Sequence, residues 1–171
     1  DVVRFLSELG KVGGLQISRE RIVRNWQVLL PSDDVDFKLR RTRLGSVTED
    51  DPAFNWQPAY SRVTGELPLD DQPKVMYRGP FQNAPSGLTF LRFSLDVGTA
   101  GKVELALSQV DGVTVWLNGV ELASAASTPL DLKGGRHRVT LMVSQSDPSE
   151  PIQVQINDVA GSTAQVQLLA D

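Results

Sequence analysis

From Lys74 onward, apolar residues fall on every second position, the period of half-buried strands. Lys74–Arg78 is a short run ended by Gly79 and Pro80. In Thr89–Val97, Leu91, Phe93, Leu95 and Val97 share one face, and Arg92, Ser94 and Asp96 the other. Val103, Leu105 and Leu107 point together, as do Val139, Leu141 and Val143. Val113–Leu117 and Val120–Ala123 flank Asn118-Gly119. Asn-Gly meets the positive-φ demand of a type I′ turn, so this stretch predicts a hairpin. Ile152, Val154 and Ile156 predict another strand, and Val166 and Leu168 a last one. Turn signals at short, regular intervals predict an all-β, antiparallel β-sandwich.

The first half is less regular. Val2, Val3, Leu6 and Leu9 recur at near-helical spacing and stop at Gly10, Gly13 and Gly14, so residues 1–14 read as a short helix acting as a connector. The sandwich then occupies 15–171. Ile22, Trp26, Val28 and Leu30 predict a strand stopped by Pro31. Residues 32–52 run acidic, basic, acidic, with a short helix expected over 34–43. Phe54 to Pro73 carries Trp56 and Tyr60 among turn formers, and Val63 is expected to begin a strand.

A length of 171 residues suits one compact domain with a core that needs no covalent staples. The formal charge of −4 argues against nucleic acid as the main partner. No apolar run nears the ~20 residues of a membrane-spanning helix. The chain has no Cys and one His, which removes zinc ribbons, Cys nucleophiles and covalent haem attachment. Residue 1 is Asp rather than Met, so the chain reads as an excerpt of something longer or a processed form.

Few residues stand out for chemistry. His137 sits on the face of Val139 and Leu141 and reads as a packing residue; no Gly-x-Ser-x-Gly elbow supports a triad. Asp33-Asp34-x-Asp36, Glu49-Asp50-Asp51 and Asp70-Asp71 offer hard oxygen ligands but match no EF-hand loop, and read as solvated loops. No carboxylate pair is singled out for a glycosidase or other small hydrolase, so no enzyme activity is expected.

The aromatics carry more. Trp116 alternates with Val115 and Leu117 and so points away from the main core, with Glu121 expected opposite it. It either stacks on a sugar ring, whose face is apolar and rim polar, or is covered by the segment 31–73. Gln153 and Gln155, with Gln165 and Gln167, are outward positions whose amides suit sugar hydroxyls. Trp56 and Tyr60 either pin their segment to the sandwich or line a cleft. The candidate ligand-binding set is therefore Trp116, Gln153, Gln155, Trp56 and Tyr60, with no metal site assigned.

The run Asp111–Gly119, followed by Leu130-Asp131-Leu132-Lys133-Gly134-Gly135-Arg136-His137-Arg138-Val139, resembles the galactose-binding-like and protective-antigen-like sandwiches. The resemblance covers roughly residues 75–157. It implies a jelly-roll fold and, in many such domains, carbohydrate as partner. Sugar-binding members of the protective-antigen-like group hold calcium on two neighbouring acids ahead of the hairpin; here those positions are Val110 and Asp111, so one acid is missing. Asp1–Gly10 is similar to the C-terminal helix of a c-type cytochrome domain. Together the two are similar to planctomycete-type multidomain haem-binding proteins. That resemblance implies an upstream haem domain, a periplasmic or secreted location and no cofactor in this chain. The expected role is a non-catalytic, carbohydrate-binding accessory module; the alternative is a structural domain that packs on its own chain or mediates dimerisation.

Overall fold

A computed structural model describes residues 21–144 and 150–170. The expected helix over 1–14 lies outside them. Two antiparallel sheets stack face to face, as alternation predicts. The smaller has the order β1 (Arg21–Ile22), β11 (Val154–Asp158), β6 (Gly101–Leu107), β9 (Ser127–Leu132). The larger runs β3 (Trp56–Tyr60), β2 (Asn25–Leu29), β5 (Ser86–Thr99), β10 (Gly135–Ser144), β7 (Val113–Leu117), β8 (Val120–Glu121). β4 (Val75–Tyr77) and β12 (Gln165–Leu168) also pair with β5.

The main core lies between the sheets. Leu91, Phe93 and Leu95 of β5 and Val139 and Leu141 of β10 meet Val103, Leu105, Val154 and Ile156 from the smaller sheet. Trp26 packs edge-on against Phe93, with centroids 5.3 Å apart, and its indole N–H donates to Ser61 Oγ at 3.0 Å. That bond lets an indole be buried without an orphaned donor.

A second core covers the outer side of the larger sheet. Helix α1 (Asp33–Arg41) and a 3₁₀ turn (Leu44–Thr48) bring Val35, Leu39 and Val47 onto Leu29, Leu88 and Phe90. The charge order of residues 32–43 explains the helix. Ser32 caps it by accepting from the Val35 N–H at 3.1 Å; Asp33, Asp34 and Asp36 occupy the first turn, and Lys38, Arg40 and Arg41 the last. Each sign sits at the helix end whose dipole it complements. Val35 and Leu39, four apart, form the buried stripe.

Several sequence expectations need correction. The strand read from Ile22 to Leu30 is two strands in different sheets, β1 and β2, because the chain crosses between them at Val23 and Arg24. Val63 begins no strand; it is almost fully exposed, in a turn closed by Gly65 at φ 92°. The strand expected from Ile152 starts at Val154, and Ile152 instead bridges Leu67. The second arm of the hairpin stops at Glu121 rather than Ala123. The turn itself has the expected positive φ values, 50° at Asn118 and 85° at Gly119.

Candidate functional site

The expected ligand residues divide between opposite sides of the sandwich. Gln155 lies on the outer face of the smaller sheet, since its neighbours Val154 and Ile156 are in the core, and Gln153 joins it along a shallow depression with Ala106, Leu107 and Ser108. Trp116, Trp56 and Tyr60 belong to the larger sheet. Gln165 and Gln167 are on β12, at the edge of that larger sheet, so the four glutamines do not share one face. Neighbouring sheets stack about 10 Å apart, and the main core fills that space, so Gln153 and Gln155 do not meet the tryptophans.

Trp116 does point away from the inter-sheet core, but it is only 5 % exposed. The 3₁₀ turn lies over it: a Cβ on Gly45 would stand 3.2 Å from the indole nitrogen. Glycine at position 45 therefore permits the close approach. One edge of the ring lines a depression of about 540 Å³ shared with Arg43, Leu44, Tyr77 and Glu121. A flat, open sugar platform at Trp116 is thus replaced by a packed indole, covered by the segment 31–73.

β3 presents a different surface. Ala59 faces the main core, which turns Trp56, Pro58 and Tyr60 to the outer side. Tyr60 is 66 % exposed, Pro58 is exposed and Trp56 is half-buried. The three form an apolar ridge along the edge strand, about 13 Å from first to last. Beside it on β2 stand Asn25, opposite Tyr60, and Gln27, opposite Pro58. Gln27 is opposite Arg92, Arg92 opposite Thr140, and Thr140 opposite Trp116, so one transverse row crosses the sheet.

Arg92 is held firmly in that row. Its Nε donates to Gln27 Oε1 at 2.7 Å, and its guanidinium lies 4.2 Å from the Trp56 ring centroid. Arg138 is its diagonal neighbour on β10 and contacts the Asp50 carboxylate at 3.5 Å. Burial lowers the Arg92 pKa to about 10, helped by the positive charges of Arg138 and Arg136 and opposed by Asp50. The guanidinium remains charged at neutral pH, but its charge is poorly compensated.

His137 is engaged in structure. Asn118 Oδ1 accepts from the Arg138 N–H at 2.9 Å, so the Asn118 amide nitrogen faces His137 Nδ1 at 2.8 Å and donates to it. His137 Nε2 then donates to the Lys133 carbonyl at 2.7 Å. The imidazole fastens the Asn-Gly turn to the loop before β10, and both its nitrogens are occupied.

A depression of about 1040 Å³ opens on the smaller sheet beside Gln155, Asn157, Lys102 and the loop 159–164. Its hydroxyls are already used. Ser162 donates to the Lys102 carbonyl and accepts from two backbone N–H groups, and Thr163 donates to the Ala100 carbonyl. Among the described residues no aromatic lines it. Asn157 Oδ1 is the one buried side-chain acceptor without a partner among the described residues. Size favours this cleft, but the ridge on β3 sets apolar groups beside the amides of Asn25 and Gln27 and the terminal nitrogens of Arg92, the combination that ligand recognition requires. Among the described residues, no three metal-ligating side chains cluster.

Sequence reading named Trp56 and Tyr60 but missed Arg92, Arg138, Asn25 and Gln27. The available signal was the outward register of Arg92, Arg136 and Arg138, three arginines at outer-face positions of strands otherwise rich in Val and Leu.

No family model matches the chain, and no curated protein matches it in sequence. Among solved structures it is similar to part of a β-glucuronidase from Ruminococcus gnavus, determined with uronic isofagomine, at a TM-score of 0.40 and 11 % identity. That match covers 88 % of this chain and 33 % of the enzyme. It is similar at the same TM-score and identity to a GH31 α-xylosidase from Xanthomonas citri, covering 86 % of this chain and 18 % of that one. The chain spans a third or less of either protein, and a likeness this remote carries no activity across.

Proposed function

We propose that the domain is a non-catalytic module that binds carbohydrate on the outer face of its larger sheet. One observation carries the reading: the apolar ridge Trp56–Pro58–Tyr60 is flanked by Asn25, Gln27 and Arg92 on the same face. A pyranose has an apolar face and a rim of hydroxyls, and this surface offers an aromatic stripe with amide and guanidinium donors beside it. Affinity electrophoresis through gels containing plant and algal polysaccharides tests it. The wild-type chain is retarded by at least one polymer, and Tyr60→Ala, at an exposed site, abolishes retardation while leaving melting unchanged. No retardation in any gel, or full retardation of Tyr60→Ala, sinks the reading.

The module is further read as an accessory part of a larger extracytoplasmic c-type cytochrome protein. This rests on the likeness of Asp1–Gly10 to a cytochrome helix, and a haem stain of the intact native polypeptide tests it. The burial of Trp116 under its own chain favours a second reading, a structural domain without ligand. Under that reading Trp116→Ala lowers stability and no polysaccharide is bound.

A further inference from the structure

Arg92 is oriented and incompletely neutralised. Its Nε is committed to Gln27 and its guanidinium carbon lies over the Trp56 ring, two contacts that restrain the guanidinium and leave the two terminal nitrogens without a hydrogen-bond partner among the described residues. Among the described residues no carboxylate lies within ion-pair distance of it, although it is half-buried. The diagonal spacing across strands puts Arg138 about 7–8 Å away, backbone to backbone, on the same face. The carboxylate paired with Arg138 is Asp50, at 3.5 Å and 95 % exposed, a pair that water and salt weaken easily. Asp50 is the one carboxylate within ion-pair distance of these two cations among the described residues, and Asp96, the next acid on the face, stands opposite Arg136, so the electrostatics of the Arg92–Arg138 pair improve when an oxyanion arrives. A restrained guanidinium also matches the paired oxygens of a carboxylate or sulfate.

We propose that this face selects acidic polysaccharides, and that Arg92 and Arg138 together take a carboxylate or sulfate group of a sugar lying along the Trp56–Tyr60 ridge. The proposal rests on the carbohydrate reading above and adds its chemical class. The chain as a whole carries −4, so diffuse attraction to a polyanion is disfavoured and retention has to come from a local site.

The test is affinity electrophoresis in gels containing polygalacturonate, dextran sulfate or neutral dextran, with three variants of the whole chain. Retardation is expected in one or both acidic gels and to be weaker in dextran; which acid retards more identifies the group. Arg92→Gln is expected to weaken retention about 10-fold or more, as loss of a charge-assisted hydrogen bond does. Arg138→Gln, nearer the surface, is expected to act in the same direction and serves if Arg92→Gln does not fold. Lys102→Gln makes the same charge change on the opposite sheet and is expected to leave retention unchanged. Equal loss in Arg92→Gln and Lys102→Gln overturns the proposal. So does stronger retention in dextran than in either acid, an outcome that leaves the carbohydrate reading standing. Saturation-transfer NMR with monomeric galacturonate separates the remaining case. Transfer to galacturonate, lost in Arg92→Gln, with no retention in any gel supports the oxyanion site and sinks the polysaccharide reading. Absence of both overturns the two together.

Discussion

Replacing Trp116 by Ala distinguishes a packing indole from a ligand platform. The ring is 5 % exposed, so the substitution removes nearly a whole tryptophan from the layer between β7 and the 3₁₀ turn. An indole that hides roughly 150–250 Å² contributes about 4–6 kcal/mol at ~25 cal/mol per Å², an upper bound set by the extended reference chain. Two features lower the figure. The ring borders an open depression, so the space left behind fills with water. The cover is also a single segment that can settle inward. A loss of about 3 kcal/mol follows, at the low end of measured Trp→Ala costs. Urea unfolding, followed by the fluorescence of Trp26 and Trp56, reads it directly. Polysaccharide retention is expected to stay as in the wild type. A loss below about 1 kcal/mol, joined to lost retention, would refute the packing account.

Other expectations follow from single contacts. Gly112 has φ 72°, and a Cβ there would stand 2.1 Å from the Ser144 carbonyl oxygen. Gly112→Ala should therefore cost at least about 2 kcal/mol in urea unfolding, well beyond the strain of positive φ alone. Ser32→Ala removes the helix cap and should cost about 1 kcal/mol, with amide exchange rising in Val35 and Asp36 before the sheets. The Asp51 carboxyl accepts from the Ala53 N–H and pairs with Lys38 at 3.0 Å, which holds its pKa below the ordinary 3.8. Its folded value is depressed, so its support for the cover is present above the ordinary carboxylate range and fades as pH falls through the folded value. Carbon-13 NMR should show Asp51 titrating below 3.8, and Asp51→Asn should flatten that acid limb.

Much of the sandwich was legible because period two is a direct record of burial. Leu91, Phe93 and Leu95 against Arg92, Ser94 and Asp96 assign both faces of β5 without any long-range information. The Asn118-Gly119 turn was equally local. β3 was missed because Pro58 and two aromatics read as turn and anchor, while its edge position, which tolerates proline, is a property of the assembled sheet. The strand Ser127–Leu132 had no alternation strong enough to be named. Leu29, Phe90 and Met142 point outward yet are covered, because α1 and the 3₁₀ turn supply a second layer that sequence places only vaguely. The site failed in the same way. Which outward residues share a face depends on which sheet each strand joins, and that alone sent Gln155 to one side and Trp56 to the other.

Chemical-shift mapping of the nitrogen-15-labelled chain with a short galacturonate oligomer addresses the binding face most directly. The account predicts shifts in the Trp56 indole, in the amides of Asn25, Gln27 and Tyr60, and in the Arg92 side-chain N–H. Shifts confined to Gln153, Gln155 and the loop 159–164, on the opposite sheet, would contradict it.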